Sequence, residues 1–259
     1  MVRLFFVFFR IGLMSEMAYR VNFYVQILQS FVSLVTALGG LGIVYSHTDN
    51  LNGWQASELL ALLGVYLLSG GLIRLIIQPG MQQLMEDIRM GTLDYVITKP
   101  ADAQVLVSIG QIRIWKFTDI ILGIATIVVA LVQLNISISI AQAAGFLVAQ
   151  AAGFAIIYSF WLILATFSFW FIRIDNIFNI FDAMYEAGRW PIGIYPGWLR
   201  AILTFVVPVA FAVTVPAEAL VGRLSANSLY MAVGLAASML VVSRAFFRIG
   251  LRSYSGASA

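Results

Sequence analysis

QPGMQQLMEDIRMGTLDYVITKPAD, residues 78–102, is the one long polar passage between apolar segments in the first half of this chain. It carries four acids and two bases and is opened and closed by Pro79 and Pro100. The sequence on either side is apolar enough to dissolve in lipid, so a connector of this composition has to lie in water or against a protein. Within it, Gln82, Gln83, Glu86, Asp87 and Arg89 are expected to share a short helix with Leu84, Met85 and Ile88, ended by Gly91. The two faces of that helix differ in polarity, as a helix seated in a partner's groove requires; an ordinary solvated loop helix has the same pattern.

Outward from this stretch, the composition sets the class. Of 259 residues, 61% are hydrophobic and only 10% charged, and the mean hydropathy is +0.95. These values lie outside soluble-domain usage and describe an integral membrane protein. The apolar residues come in blocks of about 20 or more, each able to cross a hydrocarbon core about 30 Å thick as a helix. A transmembrane β-barrel would alternate with period two, and these blocks do not. The chain has no cysteine, which excludes disulfides and thiolate metal sites.

In chain order, residues 1–22 mix Arg3, Arg10, Glu16 and Arg20 with Leu4, Phe5, Phe8, Ile11, Leu13 and Met17. That pattern suits an amphipathic helix lying in the membrane interface, and without a small-residue cleavage site it is expected to be retained. Residues 23–259 then form a six-helix transmembrane domain. Spans are expected at about 23–45, 59–77, 105–134, 141–169, 198–215 and 229–247. Pro208 should kink the fifth. Between them lie a polar loop at 78–104, a second polar passage at 172–197 and a short segment at 216–225, too brief to cross. With this count both termini share one side. All the bases except Arg223 fall on that side, which the positive-inside rule makes the cytoplasm.

The residues also bound the function. No GxxxxGK[ST] run is present, so the chain does not hydrolyse nucleotide by itself. Arg74, Arg113, Lys116 and Asp119 sit by count near the cytoplasmic ends of their spans, leaving few ionisable groups for proton or sodium coupling. The lone His47 has no companion at metal-ligand spacing and reads as a loop histidine. Trp54, Trp190, Trp198, Tyr195 and Tyr230 read as interfacial anchors, and the small-residue pairs Ala149 with Gly153 and Gly234 with Ser238 as helix packing. No catalytic, cofactor or metal site is expected.

Gly91-Thr92-Leu93-Asp94 followed by Lys99-Pro100 resembles the G-x-L-D-x-x-L-x-K-P loop of ABC-2 family transporter permeases, with Ile97 where that loop has leucine. Residues 195–200 (YPGWLR), 207–211 (VPVAF), 215–218 (VPAE) and the closing 252–257 (RSYSGA) are similar to the same family in the same order. The resemblance implies an all-α integral membrane protein of the ABC-2 exporter fold, in the bacterial cytoplasmic (inner) membrane. It implies two ABC ATPase subunits carrying ATP and Mg, and a second permease, either a second copy or a related chain. It implies coupling to the ATPase through Gln82, Met85, Glu86, Asp87, Arg89, Gly91, Thr92, Leu93, Asp94, Lys99 and Pro100. Glu86, Asp87 and Arg89 would be the charged contacts there, with Met85 and Ile88 as apolar anchors. It further implies an outward re-entrant gate holding Pro216, Glu218 and Arg223. No nucleic-acid partner is implied. A nucleotide-independent channel or secondary transporter is the alternative, and an intramembrane enzyme a more distant one. Lipid-like, glycan, peptide and drug cargo all suit spans so rich in apolar and aromatic side chains.

Overall fold

The computed structural model describes Arg10, Met14 and residues 20–136, 139–171 and 176–254. The amphipathic helix expected over 1–22 lies almost wholly outside the described residues, as do Arg173, Asp175 and the last residues of the tail. The described chain is helical apart from its connecting turns and one isolated bridge, Leu51 to Trp54.

Among the described residues five helical runs are long and apolar enough to cross a membrane: Phe23–Tyr45, Ala56–Met90, Ile114–Leu134, Ile140–Phe169 and Ala226–Arg252. The first lies in α1 (Arg20–Tyr45), of whose span only 6% is buried, against 83% for the second run. The second run is therefore the centre of the bundle; spans one, three and four pack on it, and the last packs on the fourth. It consists of α2 (Ala56–Leu72), a π-helical turn (Ile73–Ile77) and α3 (Gln78–Met90). Sequence reasoning ends this span at Ile77, before the polar residues begin, but the helix continues straight into them. Pro79 explains the π turn. It has no N–H to bond four residues back and its ring crowds that carbonyl, so the helix widens and the freed Leu75 carbonyl accepts the Arg113 backbone N–H at 3.0 Å.

After Met90 the chain passes through α4 (Asp94–Ile97) and α5 (Ala103–Ile109), then a 3-10 turn (Ile114–Lys116) into α6 (Phe117–Leu134). The third span thus starts at Ile114 rather than Val105, because α5 is a separate helix with its own cap, the Asp102 carboxylate accepting from the Val105 N–H at 3.2 Å. Span three lies antiparallel to span two through glycine contacts. A Cβ on Gly123 would sit 2.5 Å from the Leu68 backbone nitrogen, and one on Gly64 would sit 2.8 Å from that of Ile127. In lipid, where apolar surface gains nothing from association, such close backbone approach is a main source of helix adhesion. Next come α7 (Ile140–Thr166), opened by reciprocal Ser139 and Gln142 capping bonds, and a 3-10 turn, Phe167–Phe169.

The remainder differs from the sequence expectation. The last span, α12 (Ala226–Arg252), runs parallel to α7: Gln142 and Gly145 lie against Gly222 and Leu224, and Thr166 against Gly250. Two parallel spans require a crossing between them, and the chain makes it with 177–195, the segment expected to be a surface passage. In α8 (Ile177–Glu186) Asp182 meets Arg74 and Gln78. Tyr185 then donates to the Tyr66 carbonyl at 2.9 Å, Gly188 lies against Tyr66, and Gly193 reaches Asn52 in the loop before α2. This climb runs from the face carrying Arg20 and Arg252, here called proximal, to the distal face.

The stretch expected as the fifth span, 198–215, instead dips from the distal face and returns. Two helical arms, Gly197–Val206 and Val209–Leu220, meet at a bend of 69°. They contain α9 (Gly197–Ala201) with a π turn (Ile202–Val206), then α10 (Val209–Ala212) and α11 (Thr214–Leu220). Val209 is back beside Gly188, Phe211 and Ala212 rest on Gly153 within α7, and Gly222 has regained Gln142. The re-entrant element is thus 197–222, larger than the 216–225 expected, and six crossings still leave α1 and α12 with their outer ends on one face.

Candidate functional site

Three places gather polar groups: the proximal bend at 78–113, the tip and latch of the dipping arm, and a cleft between α1 and span two.

At the proximal bend, Gly91 closes α3 in the left-handed conformation (φ 69°), where a side chain would be strained. The Thr92 N–H bonds the Asp87 carbonyl at 2.8 Å and the Gly91 N–H that of Ile88 at 3.3 Å, so these two carbonyls of the last turn are satisfied. The Asp87 side chain accepts from Gln83 at 2.8 Å and from the Thr92 hydroxyl at 3.0 Å. Leu93 is fully buried and Met85 nearly so. Gln82 accepts a 2.6 Å bond from Arg113. Of the coupling residues expected from sequence, then, Gln82, Met85, Asp87, Thr92 and Leu93 build the bend. Met85 in particular faces the core and cannot anchor a partner. Glu86 and Arg89, an i,i+3 pair, stand at the surface with Asp94, Lys99 and Pro100. The apolar side chains displayed beside them are Met90, Tyr95 and Ile97, exposed by 62%, 75% and 42%. Sequence reasoning passed over Met90 and Tyr95 and noted Ile97 only as a departure from the motif; their signal is that they interleave the motif's charged positions.

The bend is tied to the spans behind it. Asp102 pairs with Arg244 of α12 through both guanidinium nitrogens, one contact at 2.8 Å, and those bonds hold its carboxyl down at about 2. Gln104 and Ser108 both bond the Tyr158 hydroxyl of α7, and the Gly80 backbone lies so near the Val107 carbonyl that a Cβ would be 2.7 Å from its oxygen.

At the arm, Pro216 also lacks the N–H that would serve the carbonyl four residues back. The carbonyl four residues back, on Ala212, accepts the Ser69 hydroxyl of α2 at 2.7 Å, and Gln150 of α7 donates to Ser69 at 3.0 Å, all buried. A Cβ on Gly153 would meet the Phe211 carbonyl oxygen at 2.3 Å. Where the arm regains the distal face, Arg223 donates to Glu58 at 2.7 Å and its guanidinium lies over the Trp54 ring. Glu58 also accepts the Gln55 N–H, so one carboxylate caps α2 and latches the arm. Of the three residues expected at a gate, Arg223 makes the latch, Pro216 frees the carbonyl that holds the tip, and Glu218 offers its backbone carbonyl to the Arg223 N–H at 2.8 Å.

The cleft is a cavity of about 160 Å³. Gln26, Gln29, Ser30 and Ser33 of α1 form one wall; Tyr66 and Arg74 of span two, Lys116 and Asp119 at the start of span three, and Glu186 and Arg189 of the fifth crossing form the rest. Its bases are matched by acids: Lys116 with Asp119 at 2.7 Å, Arg189 with Glu186 at 2.7 Å and Arg74 with Asp182 at 3.2 Å. The guanidinium groups of Arg74 and Arg189 also lie over Tyr185 and Tyr66. The scarcity of ionisable groups between the membrane faces, expected from sequence, is thus corrected: the fifth crossing brings Asp182, Glu186 and Arg189 inward to meet groups that hydropathy placed at span ends. Among the described residues no cluster of His, Cys, Asp and Glu could hold a metal ion.

A protein-family model described as ABC-2 family transporter protein matches residues 31–258. No curated protein and no solved structure matches the chain.

Proposed function

The chain belongs to the ABC-2 family of transporter proteins, and from that premise we propose that this multi-pass membrane protein is the permease subunit of an ATP-binding cassette exporter, driven by separate ATPase subunits seated on its proximal bend. One observation carries the reading. The second run is 35 residues long, about 52 Å at about 1.5 Å per residue, whereas the hydrocarbon core is about 30 Å thick. The surplus turns, with Glu86, Arg89 and Met90, therefore stand beyond the proximal face, followed by Tyr95 and Lys99 in the connector. Arg89, Lys99, Arg248 and Arg252 gather on that side, while Arg200, which bonds the Gly193 carbonyl, and Arg223 mark the distal one. By the positive-inside rule the proximal face is cytoplasmic, as an ATP-driven partner requires, and the host membrane is the bacterial inner membrane.

In this reading two ATPases, which hold the ATP and Mg, approach each other and push the bends of two paired permeases, either identical or related chains. The Arg113 bond to Leu75 and the Asp102 pair with Arg244 carry that push into spans two, three and six as rigid bodies. On the distal side the arm yields at Ser69 and at Arg223. Replacing Glu86 by Lys together with Tyr95 by Ala, at two surface positions that the bend itself does not use, is expected to abolish co-purification of the ATPase while the permease still inserts. Unchanged co-purification would reject the docking site.

The paired charges of the cleft favour a second reading, a nucleotide-independent carrier. Uptake or efflux in vesicles without any ATPase separates the two.

A further inference from the structure

We infer that the cleft between α1 and span two binds a net-uncharged, hydroxyl-rich group, the polar part of the molecule this permease moves; the inference rests on the permease reading above. The argument begins with α1. Residues 26, 29, 30 and 33 fall at i, i+3, i+4 and i+7, one face of a helix, and all four line the cavity. The other faces of the same helix present Val25, Leu28, Val32 and Val35, exposed as lipid-facing residues are. Amide and hydroxyl side chains within a membrane span are costly unless they meet other polar groups. The Ser30 hydroxyl bonds back to the Gln26 carbonyl at 3.2 Å, but the side chains of Gln26, Gln29 and Ser33 have no hydrogen-bond partner among the described residues. The helix thus turns unsatisfied neutral donors and acceptors toward a partly open cleft.

The opposite wall sets the charge of the ligand. Three bases face or flank the cavity and each is already neutralised by an acid at 3.2 Å or less. A net anion would have to displace Asp119, Glu186 or Asp182, and a net cation would meet Lys116, Arg74 or Arg189. Groups that both donate and accept, as hydroxyls do, satisfy the amides without breaking a pair. The volume of about 160 Å³ corresponds to roughly five waters at about 30 Å³ each, room for a small polyol or the ring of one sugar. Such a group could arrive as a free sugar or as the head of a glycolipid, and the chemistry of the wall is the same for both.

The test uses the full chain in phosphatidylcholine nanodiscs, read by thermal melting. The probes are an uncharged galactosyl diacylglycerol, the anionic phosphatidylglycerol, and free galactose or trehalose in the buffer. A rise in melting temperature with the galactolipid, or with the free sugar alone, supports the site and identifies its source. The rise should fall at least tenfold in apparent affinity in Gln26→Leu/Gln29→Leu, a change that makes α1 more apolar and so leaves insertion intact, and by a smaller factor in Ser33→Ala. No response to either hydroxylated probe, a larger response to phosphatidylglycerol, or an unchanged response in the double variant overturns the inference. ATPase co-purification measured on the same preparations reports on the permease reading separately: its loss would remove that reading whatever the lipids do, and its persistence without sugar binding would remove this inference alone.

Discussion

Pro79 in the proximal bend and Pro216 in the dipping arm each leave the carbonyl four residues back without a helical N–H, and the two regions satisfy it differently. At the bend, the freed Leu75 carbonyl is taken by a backbone N–H, that of Arg113. At the arm, the freed Ala212 carbonyl is taken by a side chain, the Ser69 hydroxyl, itself steadied by Gln150. Each region also seats a glycine against a neighbouring carbonyl, Gly80 on Val107 and Gly153 on Phe211. The difference teaches where movement is built in. The bend is fastened by main-chain atoms and by an ion pair, so it moves with its spans as one piece. The arm tip, packed on Gly153 and Gly188, has the Ser69 hydroxyl as the polar partner of its freed carbonyl.

Substitutions can break or sharpen that contrast. The largest effect is expected at Gly153→Leu, where the neighbour is backbone and nothing flexible can give way; overpacking of this kind costs about 3 kcal/mol, to be read as a lowered melting temperature together with new labelling of cysteines placed at 209–212. Ser69→Ala should follow at about 2 kcal/mol, because it leaves the buried Ala212 carbonyl and the Gln150 amide unsatisfied; the same cysteine labelling should rise while the proposed ATPase co-purification is unchanged. Arg113→Ala should cost only about 1 kcal/mol, since it removes the bond to Gln82 but keeps the N–H that serves Leu75. An Arg113→Ala loss exceeding that of Ser69→Ala would invert the contrast. The smallest effect is that of pH on the bend. The Asp102 carboxyl, lowered to about 2 by Arg244, contributes stability that is present above its ordinary value near 4 and is lost as pH falls toward 2. Limited proteolysis at 98–102 should therefore be flat between pH 7 and 5 and rise only in stronger acid.

Much of this architecture can be read from the amino acids, and the part that cannot has a definite cause. Long apolar runs locate spans one, two, four and six, and Gly91 marks the end of α3, because each of these signals is local. The fifth crossing escapes for a physical reason. Asp182, Glu186 and Arg189 look like surface residues until Arg74 and Tyr66 are known to lie opposite them, and such pairing is a property of the packed bundle, not of the segment. The converse error comes from 198–215, where hydropathy cannot separate an arm that enters and returns from one that passes through. Pro208 and Pro216, eight positions apart, were the available hint of a double turn. At the bend, the motif was visible but the division of labour within it was not. Met85 and Leu93 share the composition of an interface anchor and lie instead against the core, since only the helix's rotation about its own axis decides which face is shown.

The bond from Arg113 to Leu75 involves no side chain. Any residue except proline at 113 supplies the same N–H, and any residue at 75 the same oxygen, so mutation has almost no way to cut it. The outer skin of the bend, Glu86, Arg89, Met90, Tyr95, Ile97 and Lys99, is under no such constraint. On the docking proposed above, a lineage could exchange one ATPase for another by rewriting that skin, while the joint beneath passed unchanged from ancestor to descendant.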